Sequence, residues 1–257
     1  MKFRIYHVSL AVFTLFFGAW FLALPRPSFA ASVSECPVDS QIQAILSAQN
    51  NKELDELEAI RTELIARKDA LRVLAKCLTD DVRRTREEVQ KLSLSDERDK
   101  RVQGRILENL DNVLREQNLD EARINELGLR GTRDAARALK DWRARVYGQV
   151  KGQADGFALW LKSRTLIGTA ENRLHNITGT LRSLDMIDKE EISRQLDSAD
   201  HNLREARERH DAAGALLEQS ADSGEISLAI KSALDALAKS YENFFTISDE
   251  VKKVVPL

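Results

Sequence analysis

Past residue 30 the chain holds three histidines, His175, His201 and His210, and two cysteines, Cys36 and Cys77, the residue types from which a metal centre or a nucleophile would be built. No histidine has a glutamate three residues before it, so the Glu-x-x-His pairs of di-iron helical bundles are absent. His-Glu-x-x-His, Cys-x-x-Cys and glycine-rich phosphate loops are absent too. His201 and Glu205, one helical turn apart, supply two ligands at most, and the dense alternation of charge from His201 to Asp211 reads as a solvated face. The sequence therefore predicts a non-enzymatic chain with no catalytic, cofactor-binding or metal-ligating residues. Asn176-Ile177-Thr178 matches a glycosylation sequon but falls inside a predicted helix.

Cys36 and Cys77 pose a geometric problem. If residues 38–92 were one helix, about 60 Å would separate the thiols, whereas a bridge needs Cα atoms within about 7 Å. Either the helix breaks, best at Asn50-Asn51, so that residues 36–49 fold back, or the bond is intermolecular. The intramolecular bridge is the preferred reading, because a free thiol beside a leucine seam is a liability in an oxidising compartment.

Two further sets of residues have suggestive spacing. Gly148, Gly152 and Gly156 recur every four residues and share one face of a predicted helix. Each costs about 1 kcal/mol relative to alanine there, so the row calls for a close helix approach or a hinge, unless the helix breaks into a loop. Trp142, Tyr147, Phe157 and Trp160 flank it and mark a junction. Arg130, Arg133, Arg137 and Lys140 form a basic stripe, loosely continued by Arg143 and Lys151. An anion site is one reading; the preferred one is interhelical ion pairing with the acidic stretch Glu53, Asp55, Glu56 and Glu58.

The elements that must position these residues are helical. The 257 residues carry 39 Lys+Arg and 41 Asp+Glu, but residues 1–30 hold no acid and eight of the fifteen aromatics. Without them the remainder has 36 bases, 41 acids and seven aromatics, too few for a broad aromatic core. The prolines are Pro25, Pro27, Pro37 and Pro256, so none interrupts residues 38–255. Lys2 and Arg4, the apolar run Val8 to Leu24 and Ser28-Phe29-Ala30 read as a signal peptide over 1–30, or an N-terminal membrane anchor, with the small-x-small site favouring cleavage. Export, extracytoplasmic and to the cell envelope, follows on either reading.

Leu57, Leu64, Leu71, Leu78, Thr85 and Leu92 occupy heptad d positions, and Ala75, Val82 and Val89 lie among the a positions. Ser95 or Asp96 caps a second helix that is expected to run on, weakened at Gly128 and Gly131 with Thr132 as a restart cap, to about Leu181. A turn near 93–96 makes an antiparallel hairpin over 31–150, with paired positions summing to about 189. Asp188 caps a third helix, and Ser220 to Gly224 turns into a fourth that ends near Val254. Over 151–257 these close an up-down-up bundle sharing the second long helix. Tyr241, Phe244 and Phe245 read as bundle core. The predicted fold is thus all-α: a long coiled-coil hairpin continuing into a three-helix bundle.

The leading functional expectation is a structural or interaction protein, a scaffold or adaptor whose helical hairpin engages a protein partner or a second copy. No cofactor or nucleic acid is expected, and membrane contact only through the N-terminal segment. The alternative is a ligand-binding or sensory bundle with its pocket at the Gly148–Gly156 junction. In shape alone the layout resembles exported helical-hairpin proteins, including periplasmic holdase chaperones. The acidic chain and the lack of a strand-rich assembly domain weigh against that comparison.

Overall fold

A computed structural model describes residues 36–50, 55–117 and 119–254. The chain divides into two units, Met1–Glu35 and Cys36–Leu257. The expected signal peptide and its cleavage site lie outside the described residues. The second unit is all-α, with no strand among the described residues.

The helices are α1 (Asp39–Asn50), α2 (Glu56–Gln90), α3 (Glu97–Glu116), a single turn α4 (Glu121–Glu126), α5 (Leu129–Trp142), a π-helical turn (Arg143–Tyr147), α6 (Gly148–Ser183), α7 (Glu190–Glu218) and α8 (Ser223–Val254). Starts are set by short acidic caps: Asp55 accepts from the Glu58 N–H, Asp96 from Arg98 and Asp120 from Arg123. Expected caps fail in two places. Helix α7 starts after Lys189 with no side-chain cap, so Asp188 does not serve; Gly128 stands at the start of α5, and the Thr132 hydroxyl donates back to the Leu129 carbonyl instead.

The α2–α3 hairpin turns between Gln90 and Glu97, as the spacing predicts, but its register differs. Arg86 reaches Asp111, and the Gln103 amide donates to the Val89 and Leu92 carbonyls. The continuous second helix is overturned. Gln117 leaves helical geometry, Asp120 opens α4, and extended backbone at Leu127 and Gly128 turns the chain again. From there α5 and α6 run parallel to α2: Leu139 packs with Ala75 and Leu78, and Tyr147 bonds Thr85 and Asp81. The local sequence permits this break, and the packing gained by the returning helix secures it. Asn118, Asp120 and Gly128 each favour turn or cap geometry over helix interior, and together they outweigh the weak periodicity around Ile124.

The result is two three-helix layers sharing one spine. Helices α5 and α6, joined through the π turn, form a run of 55 residues, Leu129 to Ser183, about 80 Å long. Its first part packs on α2 and α3 around Val82, Val102, Leu110 and Phe157, where the end of α7 and the start of α8 also enter. Its second part closes the up-down-up bundle with α7 and α8 around Ala170, Ala199, Leu203 and Phe244. Tyr241 meets Phe244 edge-on and lies under the Arg173 guanidinium, whereas Phe245 is 40% exposed, outside the core expected for it.

At the far end of α2, α1 folds back, joined by the Cys36–Cys77 disulfide with Cα atoms 5.8 Å apart. Only Ala48 of α1 is buried, and Gln49 donates to Glu63 of α2. The heptad seam is buried from Leu71 through Val89 but opens toward the tip, where Leu57 is 79% exposed.

Candidate functional site

The glycine row and its aromatics do meet at the junction of the two layers, and close approach is the reason for the glycines. A Cβ on Gly152 would stand 2.5 Å from Ser223 Cβ, and one on Gly156 would stand 2.8 Å from Ile226 Cγ2. The start of α8 therefore lies directly on the glycine face of α6. Gly148 serves differently: its N–H bonds the Arg143 carbonyl of the π turn, and a Cβ there would sit 3.1 Å from that oxygen. In a π turn, residues five apart stack above one another. Trp142 and Tyr147 accordingly lie ring on ring, 6.1 Å between centroids and 21° apart.

Polar groups lock this junction on three sides. Gln153 donates to the Ser220 and Ala221 carbonyls at 3.1 and 3.0 Å. Gln149 is oriented with its carbonyl toward the Ser223 N–H at 3.1 Å and its NH2 toward Asp222 and the Ser223 hydroxyl. Together they hold the α7–α8 turn from α6, while Arg98 pairs with Glu218 at its other side. Trp160 donates its indole N–H to the His210 carbonyl at 2.9 Å and stacks on the His210 ring at 5.1 Å. Arg164 covers the other part of that indole at 4.3 Å and makes a bidentate pair with Asp99, at 2.7 and 2.9 Å. The Asp99 carboxylate is 3% exposed, and its hydrogen bonds hold the Arg164 guanidinium firmly charged.

The third group joins α2 to the spine. Tyr147 donates to Asp81 at 2.8 Å and its oxygen lies 2.9 Å from the Thr85 hydroxyl. Burial, reinforced by the negative Asp81, pushes the Tyr147 phenol far above its ordinary range, so it stays a donor. Two turns of helix further on, partial burial raises the Asp155 carboxyl, whose side chain stays 49% exposed, with Glu88 and Asp81 adding to the effect and Lys151 opposing it.

This geometry does not supply the ligand pocket considered above for the junction. Ser223 and Ile226 fill the space beside the glycines, and Tyr147, Phe157 and Trp160 are buried against protein. The chemistry it performs is mechanical: it fixes two helical layers on one spine. A separate groove of about 390 Å³ opens between α3, α4 and α5, lined by Leu119, Leu127, Leu139 and Trp142. The Trp142 indole N–H is buried there without a hydrogen-bond partner. Among the described residues no three His, Cys, Asp or Glu gather in metal-binding geometry. His201 is exposed, and Glu205 pairs with Arg209.

The basic stripe is where expectation and structure part most clearly. Arg130 and Arg137 both turn to Asp134 of their own helix, at 3.9 and 3.7 Å, rather than across to Asp55, Glu56 or Glu58. Arg133 reaches α2 only as a charge near Glu63. Lys140, Arg143 and Arg145 form no ion pair among the described residues, and all six bases are exposed. Sequence reasoning missed Asp99 and Arg164 and gave His210 no part in packing. Arg164 stands one helical turn from Trp160, but Asp99 is 65 positions from Arg164 and His210 is 50 positions from Trp160, so no local period connects the three helices. No family model, curated protein or solved structure matches this chain, and the functional reading rests on its own geometry.

Proposed function

We propose that the protein is an exported, non-enzymatic scaffold or adaptor that engages a protein partner, or a second copy, through the tip of its α1–α2 arm. One observation carries this reading. Of the ten large apolar side chains that stand exposed among the described residues, five (Ile42, Leu46, Leu57, Ile60 and Ile65) fall within 24 residues of this arm, and the other five are scattered from Leu166 to Val254. Isolated exposed leucines need no explanation, but a concentration of exposed large apolar side chains on one arm fits an interaction surface. The rigid junction supports the reading, because an arm fixed to a locked spine presents its tip at a defined position. Helix α1 is tied to α2 by a disulfide, which fits an oxidising compartment, and no described helix is long and apolar enough to cross a membrane.

A photo-cross-linking amino acid placed at Leu57 in cells tests this, with Leu228, an isolated leucine 69% exposed, as the control. Discrete adducts from position 57 and none from 228 are expected. Equal labelling at both positions, or none at 57, refutes the tip as the contact surface.

A further inference from the structure

The stripe that was expected to be neutralised across the hairpin stands open, and its placement runs against helix energetics. Residues 129–145 carry six bases, Arg130, Arg133, Arg137, Lys140, Arg143 and Arg145, and two acids, Asp134 and Asp141, in a chain of net charge −2. Arg130 and Arg133 lie in or next to the first turn of α5, which contains no acid. That end of a helix is the positive end of its dipole, where a cation is unfavourable. Two arginines share the single Asp134 carboxylate. The buried residues of α5, Thr132 and Leu139, are set well round the helix from the centre of the row 130, 133, 137, 140 by the 3.6-residue period, and all four bases are exposed. The row therefore faces outward along about 15 Å of helix.

We infer that this face of α5 docks on an anionic phospholipid bilayer. Charge complementarity requires an anionic occupant. Between the bases the exposed residues are Ala136, Ala138, Ala144 and the two aspartates. The face thus lacks the large apolar or aromatic anchors on which a protein interface depends. A lipid surface needs no such anchor: its phosphates present a plane of negative charge that long basic side chains meet without shape matching. The inference is independent of the arm's tip, and it predicts strong salt dependence because no apolar insertion supports it.

The test uses the full chain and vesicles of phosphatidylcholine alone or with 30% phosphatidylglycerol, read by co-sedimentation over a lipid titration. The ratio of apparent Kd values on the two vesicles cancels whatever the N-terminal segment contributes to both. At low salt a preference of at least about tenfold for the anionic vesicles is expected, what one or two engaged bases at an anionic surface supply. It should collapse toward unity in 0.5 M salt and in the variant R130Q/R133Q/R137Q/K140Q, whose sites are all exposed and whose helix content by circular dichroism should match the parent. A parent ratio near one overturns the inference, as does a variant that keeps the preference. Salt-sensitive capture of poly-glutamate without the lipid preference overturns it in favour of an acidic protein partner.

Discussion

Reducing the Cys36–Cys77 bridge should release α1 from α2 while leaving the rest of the protein folded. The bond closes a loop of sequence separation 41, and the chain-entropy account assigns such a loop about 4 kcal/mol. The non-covalent docking of α1 is much weaker. Its 12 residues bury one side chain, Ala48, and Gln49 to Glu63 is its one side-chain hydrogen bond to α2 among the described residues. A methyl-sized burial near 1 kcal/mol and one hydrogen bond near 1 kcal/mol make about 2 kcal/mol, half of what the bridge supplies. A helix of this length is also marginal by itself. Hydrogen exchange on the reduced protein, or on C36S/C77S, should show amides 39–50 losing nearly all protection while those of Phe157 to Ala170 keep theirs. Far-UV circular dichroism should fall by the equivalent of about one 12-residue helix. Unchanged protection of 39–50 after reduction would refute the reasoning, because it would mean that packing alone holds the arm's return helix.

Other perturbations report on the junction. Gly156→Val forces a branched side chain against Ile226 and should cost about 1–3 kcal/mol by overpacking, read from the urea midpoint; an unmoved midpoint would mean that α6 and α8 separate without penalty. Arg164→Met strands the Asp99 carboxylate, 3% exposed, beside an apolar neighbour. A loss of about 3 kcal/mol is expected, the low end of the range for breaking a buried pair because Arg164 is itself 43% exposed. The double variant R164M/D99L should recover most of that loss, and failure to recover would place the cost in the Trp160 stack instead. Asp155 tests the electrostatics: partial burial raises its carboxyl above the ordinary 3.8, but the side chain is 49% exposed, so solvent screening keeps the effect on stability small. The folded state therefore binds the proton more readily than the unfolded chain between 3.8 and the raised value, and stability falls as pH rises through that window. Asp155→Asn should raise the melting midpoint at pH 7 and lose its advantage below the ordinary carboxylate value. An advantage that persists at pH 3 would show that charge is not the cause.

What was legible from the residues follows a physical division between local and non-local causes. The helices, their polarity and most of their ends are local. The heptad leucines, the absence of proline from 38 to 255, Asp96 as a cap and the turn before Ser223 are each decided within a few residues. The disulfide was readable as well, because the length of an unbroken helix rules out the bond unless the chain folds back, and Asn50-Asn51 offers the place. The glycine row announced a close approach by its spacing alone, though its occupant, the start of α8, did not show in the sequence.

The course of the chain after α3 was decided elsewhere. Residues 117–128 have weak helical periodicity, and their reversal is secured by what the returning helix gains: Leu139 against Ala75 and Leu78, and Tyr147 against Asp81 and Thr85. A local pattern cannot weigh that gain, so the spacing gives Arg130 and Arg137 partners across the hairpin, whereas in the fold both pair with Asp134 of their own helix. The buried network of Asp99, Arg164, Trp160 and His210 has the same character, since its members come from three helices and acquire their roles only by meeting. The sequence by itself determined an all-α, disulfide-linked chain with a glycine face and a basic row. Tertiary structure alone decided that the glycine face is filled and the basic row left open, because burial and ion pairing depend on which helices become neighbours.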